Sequence, residues 1–225
     1  MNLDRAALGP VRIAWAVADA SATELDAVVR GLDDSPARRY ADMPAARGRR
    51  FATGRRLLTE LVVEAARTRA FRIESVCERC GGEHGRPRVE GAPYAVSVSY
   101  AGDLVVAAAV SLDSASAVGV DVEARSGDDD TPLNDLALLF SPGTPPGLRE
   151  WTQIEAVSKA DGRGLQIPPA DITFGERRAR HLPGGREAYV PGIREPFEVA
   201  QATGPSAHLI SIAVAPPRSA APPSA

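Results

Sequence analysis

The chain has 225 residues, of which 44% are hydrophobic and 24% charged, and its formal net charge is −3. That composition is ordinary for a globular protein, with apolar material enough for a core in one large domain or in two small ones sharing an interface. The slight acidic balance argues against a general nucleic-acid binder, which needs a basic excess, and no stretch approaches the roughly 20 apolar residues of a membrane span.

The N-terminus, MNLDRAALGPVRIAWAVADA, carries acidic residues and no long apolar run, so it does not read as a signal peptide. The expectation is a cytoplasmic protein with its two cysteines reduced. Residues 11–18 alternate weakly, as a strand does. A helix is expected from a cap at Ser21 or Thr23 through Arg30. In the next helix Phe51, Leu57, Leu58, Leu61, Val62 and Ala65 recur at three- and four-residue spacing, a buried stripe. Arg47, Arg49, Arg50, Arg55 and Arg56 crowd its first half, as a solvated face or as a contact for phosphate or an acidic partner. Residues 71–94 are punctuated by Gly and Pro and read as short strands and loops. Within them Cys77, Cys80 and His84 spell C-x2-C-x3-H, three zinc-type ligands without a second pair; a loop leading into Gly85, Arg86 and Pro87 is the simpler reading.

Two apolar runs, Tyr94–Ser99 and Leu104–Ser111, read as an antiparallel pair joined by the turn YAGD. A strand is expected at Ala117–Glu123, an exposed loop at 125–132 and a short helix at Leu133–Phe140. Leu148–Asp161 reads as a helix closed by Gly162 or Gly164. Strands are expected at Asp171–Phe174, Phe197–Ala202 and His208–Ala215. Each half thus combines helix with antiparallel strands. The expected class is α+β, with one subdomain over residues 1–112, a second over 113–215 and a disordered tail over 216–225.

The chemistry concentrates in two segments. Asp121 and Glu123 lie two apart at a strand end, so both point to one face. Paired carboxylates repel and want a cation or a shared proton, though a solvated strand end explains them equally simply. Glu155 and Lys159 lie one helical turn apart, with Trp151 one turn earlier. They read as a surface ion pair worth a few tenths of a kcal/mol, or as a third carboxylate for a hard cation beside a proton donor. Mg²⁺ prefers oxygen ligands, keeps waters and usually sits with substrate phosphates. Lys159 is the only lysine in the chain; the other 25 of the 26 Lys and Arg residues are arginine. Arginine stays protonated in proteins, whereas lysine can hand over a proton.

In these residues the chain resembles the Sfp-type 4′-phosphopantetheinyl transferases. GVDVE at 119–123 is similar to the family's G-[IV]-D-[IV]-E strand end, and WTQIEAVSKADGRGL at 151–165 to its W-[ST]-x-K-E-[AS]-x-x-K helix followed by G-K-G-L. FATGRRLL at 51–58, CGGEHGRPRV at 80–89 and VSVSYAGDLVVAAAV at 96–110 resemble its arginine helix, its C-G-x-x-H-G-K-P segment and its S-[IV]-S-H strand pair. The resemblance implies two pseudo-symmetric α/β subdomains with coenzyme A between them. It implies transfer of phosphopantetheine from coenzyme A to a serine of an acyl or peptidyl carrier protein, with release of 3′,5′-ADP; charge and hydropathy point to no nucleic-acid or membrane partner. By the same resemblance Asp121, Glu123 and Glu155 hold Mg²⁺, Glu155 also acts as base, and Lys159 steadies the pyrophosphate and protonates the leaving phosphate. Arg55, Arg86, Pro87, Ser99 and Tyr100 would contact the coenzyme. The size fits a family member that works as a monomer.

Two positions depart from the family pattern: Tyr100 stands where the family has histidine, and Ile154 where it has lysine. The expectation is a phosphate site with two fewer cations. That opens an alternative, a homologue that binds coenzyme A or a carrier protein without ordinary transfer.

Overall fold

The computed structural model describes residues 3–19, 40, 43–77, 80–82 and 85–217. The helix expected after Ser21, His84 and most of the expected tail lie outside the described residues.

Among the described residues all sheet pairings are antiparallel, and the class is α+β. The first sheet has the order β1-β2-β6-β5, from β1 (Asp4–Leu8), β2 (Val11–Val17), β5 (Tyr94–Ala101) and β6 (Leu104–Ser111). The hairpin β3 (Arg72–Glu74) and β4 (Arg88–Glu90) stands apart. The second sheet has the order β7-β11-β10-β9-β8, from β7 (Ala117–Ala124), β8 (Thr173–Arg178), β9 (Arg186–Tyr189), β10 (Phe197–Ala202) and β11 (His208–Ala215). Helix α1 (Ala45–Ala66) serves the first sheet; α2 (Ala137–Phe140) and α3 (Leu148–Asp161) serve the second. Among the described residues no helix is long and apolar enough to cross a membrane.

The packing order is helix, sheet, sheet, helix. Leu57, Leu58, Leu61 and Val62 of α1 bury against Ala14, Ala16, Val105 and Ala107, on one face of the first sheet. The alternate residues Val11, Ile13, Val106 and Val110 turn to the other face and share a core with Val118, Val120, Val122, Ile210 and Ile212. Beyond the second sheet, Ile154, Ala156, Val157 and Ala160 of α3 pack on Val199 and Ala213. Strand β6 is buried on both faces, which is why its sequence, LVVAAAV, is an uninterrupted apolar run.

Helix α3 lies unusually low on β7. A Cβ built on Gly119 would sit 1.9 Å from the Ala156 carbonyl oxygen and 2.6 Å from the Ala160 nitrogen. Only glycine allows that approach. Gly162, at φ +85°, ends the helix, and its N–H donates to the Ser158 carbonyl at 3.0 Å.

Most expected elements sit where the pattern puts them. The strand expected at Asp171–Phe174 starts later, at Thr173, because Pro169–Asp171 forms a 3₁₀ turn. The short helix at 133–140 is split into a 3₁₀ turn, Asn134–Leu136, and α2. Strands β1 and β9 were not expected. They are short and partly exposed, and the pairing that makes them strands comes from β2 and β10.

Gly119→Val forces α3 away from β7. The expected loss is about 2–3 kcal/mol or more, at the upper end of overpacking effects, read as a lower urea midpoint. An unchanged midpoint contradicts the close approach.

Candidate active site at the seam between the sheets

Strands β5 and β7 are the edges of their sheets, and side chains bridge them. The Val120 N–H donates to Ser97 Oγ at 3.1 Å, and Ser99 Oγ donates to Asp121 Oδ1 at 2.9 Å. Period-two geometry places Ser97 and Ser99 on one face of β5. Lys159 reaches the same point from α3. Its Nζ donates to Asp121 Oδ1 at 2.6 Å and to Ser99 Oγ at 2.7 Å.

Asp121 is buried at 4% exposure, and among the described residues its Oδ2 has no hydrogen-bond partner. Glu123 and Glu155 are half-buried near it. Burial first, then repulsion from the Asp121 carboxylate, pushes the carboxyl of Glu155 above the usual carboxylate range, and Lys159 offsets part of the rise. Glu123 is raised for the same reasons, with a smaller push from Glu155. The three carboxylates are therefore electrostatic neighbours. They do not form a ready-made cage: among the described residues no three His, Cys, Asp or Glu side chains are spaced to hold a metal by themselves.

A cavity of about 390 Å³ opens beside this cluster, between α1 and α3. Its walls include Phe51, Gly54, Arg55 and Leu58 of α1, Gly85, Arg86 and Pro87 after the hairpin loop, Val96, Ser97, Val98 and Tyr100 of β5, and Glu155, Ser158 and Lys159 of α3. The volume is in the range of small-molecule sites. Tyr100 is 41% exposed at the cavity wall, and its hydroxyl lies over α1. A Cβ on Gly54 would come within 2.8 Å of that hydroxyl and 3.2 Å of Val98 Cγ2, so the glycine makes room for the tyrosine.

Several expected site residues have other work in the structure. Arg55 is buried; its Nη1 donates to the Ile73 carbonyl at 2.9 Å, its Nη2 to Ser75 Oγ at 2.6 Å, and its guanidinium lies over the Phe51 ring. It fastens the hairpin to α1 at the cavity wall. Arg86 Nη1 donates to the Ala160 carbonyl at 3.3 Å, at the negative end of α3. Ser99 is buried against Asp121 and Lys159 and is not a cavity wall. Ile154 is corrected outright. It is 2% exposed in the core with Phe140, Ile172 and Val199, so the site loses no cation there. One residue along a helix is a rotation of about 100°, which turns position 154 inward while Glu155 faces the cavity. Arg163 is held by both Asp161 oxygens at 2.8 Å and by the Pro191 carbonyl at 3.0 Å. Cys80 Sγ accepts the Gly82 N–H at 3.4 Å.

Glu198 is a buried carboxylate that sequence reading passed over. Burial would raise it, but the N–H groups of His181, Arg180 and Leu182 and the His181 ring hold it below the usual range. It organises the loop at 180–182 and lies outside the site. Only its spacing in three dimensions reveals it.

Compared with models of known protein families, the chain matches none, and no curated protein matches it.

Glu155→Gln removes a carboxylate whose charged form the fold disfavours. The folded-state value is raised, so the charged group costs stability above it and costs nothing once both states are protonated. The variant is expected to melt at a higher temperature than the unsubstituted protein at pH 7. The gain should vanish well below pH 4. A loss of stability at pH 7 contradicts the electrostatics.

Proposed function

We propose that the protein transfers the 4′-phosphopantetheine group of coenzyme A to a serine hydroxyl of an acyl or peptidyl carrier protein and releases 3′,5′-ADP. The observation that carries this reading is convergence. Segments that share nothing in sequence but their likeness to one family's motifs line a single cavity, at Arg55, Arg86, Pro87, Tyr100, Glu155 and Lys159. Asp121 of the fifth motif is one hydrogen bond from Lys159. On this reading residues 1–112 and 113–215 are the two pseudo-symmetric subdomains; a helix on a sheet in each half supports the division.

The reaction breaks the P–O bond inside the pyrophosphate and forms one between the pantetheine-bearing phosphorus and the serine oxygen. The serine loses a proton, which Glu155 accepts. It is a carboxylate at the cavity wall, the kind of group that serves as a general base. Lys159 donates a proton to the departing 3′,5′-ADP phosphate, a role closed to arginine. Positioned charge does most of the work in such displacements. Asp121, Glu123 and Glu155 would hold Mg²⁺, which when bound neutralises charge on the phosphate oxygens. They suit it, since Mg²⁺ needs only one or two carboxylates beside phosphates and water, and Asp121 offers a buried oxygen without a partner among the described residues. Arg86 supplies charge at the cavity wall. Tyr100 supplies a hydroxyl without charge. Ser99 fixes Asp121 and Lys159 from behind.

A second reading, a binder without transfer, is favoured only by Tyr100 in place of histidine. Incubation with coenzyme A, Mg²⁺ and several apo-carriers separates the two. Transfer adds the mass of one phosphopantetheine to a carrier; no gain on any carrier contradicts it. Glu155→Gln is expected to lower kcat by about 10²–10⁴, the usual worth of a general base, while coenzyme A still binds. Lys159→Arg is expected to keep binding and lose turnover. Turnover at the unsubstituted rate in either variant overturns its role.

A further inference from the structure

Lys159 already holds one oxygen of the carboxylate that a cation on Asp121 would use. Its ammonium already takes Asp121 Oδ1 at 2.6 Å, and Ser99 both donates to that oxygen and accepts from the ammonium. Magnesium-type ligation needs oxygen at about 2.0–2.1 Å, and a dication on one oxygen of a buried carboxylate repels an ammonium held on the other. The other oxygen, Oδ2, is buried and has no partner among the described residues. The carboxylate is thus half satisfied, with an internal positive charge on the satisfied half.

Lys159 also has somewhere to go. It lines the cavity, its side chain is 31% exposed, and its four-carbon stem is flexible. An anion in the cavity would stabilise the displaced ammonium. Without one, displacement leaves ammonium and dication side by side.

We propose that Lys159 is a resident counter-ion of Asp121, and that a divalent cation binds there by displacing Lys159 into the cavity, so that cation and anionic ligand load together. The inference rests on the reading of this site as metal-dependent. It adds that the lysine blocks the metal in the ligand-free protein, and that its release is coupled to the ligand's phosphates. Lys159 then reaches the diphosphate only after leaving Asp121, which links cation loading to placement of the proton donor.

The test uses Mn²⁺ alone, followed by loss of the free-ion electron paramagnetic resonance signal, with no coenzyme A or carrier present. The unsubstituted protein is expected to bind Mn²⁺ weakly and Lys159→Met at least about tenfold more tightly, a typical size for coupled binding. Asp121→Asn in the Lys159→Met background should erase the gain. Arg12→Met removes an exposed cation that pairs with Glu64 away from the site, and should stay within about twofold of the unsubstituted protein. Lys159→Arg, which restores the charge, should return binding to the weak level. Circular dichroism melts confirm that each variant is folded. Equal Mn²⁺ binding with and without Lys159 overturns the exchange, and so does an equal gain in Arg12→Met, which would make the effect one of general charge. Failure of carrier modification bears on the proposed transfer, and the Mn²⁺ result stands apart from it.

Discussion

The structure depends on how closely α3 approaches β7 at Gly119. A side chain there would collide with the backbone of Ala156 and Ala160. The approach fixes the height of the helix above the sheet, and so the reach of Glu155 and Lys159. Asp121 and Glu123 lie two and four residues along the strand from Gly119 on its helix-facing side, opposite Val118, Val120 and Val122. One small residue thereby brings four ionisable groups from a strand and a helix to one place. The glycine of the GVDVE segment is a packing requirement on which the acidic residues after it rely.

The seam between the sheets then sets the electrostatics. The edge strands β5 and β7 meet through hydroxyls, and Ser97 satisfies a backbone donor of β7. A buried backbone N–H without that partner would carry a desolvation penalty of about 1–3 kcal/mol. Ser99 and Lys159 do the equivalent for one oxygen of Asp121 and leave the other without a partner among the described residues. Burial, and then repulsion from the Asp121 carboxylate, makes Glu123 and Glu155 hold their protons more tightly than usual, and the one ammonium offsets only part of it. Such a cluster costs folding stability. It is also the arrangement that a cation and a phosphate-bearing ligand would relieve.

Much of this was legible in the chain. The boundaries of α3, β10 and β11 follow from apolar periodicity and glycine punctuation, and the β5–β6 pairing from two apolar runs around a short turn. Asp121, Glu155 and Lys159 could be singled out because carboxylates and a lone lysine at these spacings are chemically conspicuous. Partners distant in sequence were not legible. Arg55 and Arg86 line the cavity, and their guanidiniums also bind the carbonyls of Ile73 and Ala160, partners that no spacing in the sequence marks. Ser99 suggested a ligand contact, yet it supports Asp121 from within. Ile154 suggested a missing cation because it adjoins Glu155, but helix geometry turns neighbours apart and sends it into the core. Strands β1 and β9 lack a period of their own and exist through their partners.

The most direct test is a crystal structure with coenzyme A and Mn²⁺, using anomalous scattering to place the metal. The account predicts an anomalous peak on the Asp121 carboxylate, the coenzyme pyrophosphate in the cavity between α1 and α3, and Lys159 turned from Asp121 onto a phosphate. Coenzyme A outside that cavity, or Mn²⁺ bound away from Asp121, would contradict it.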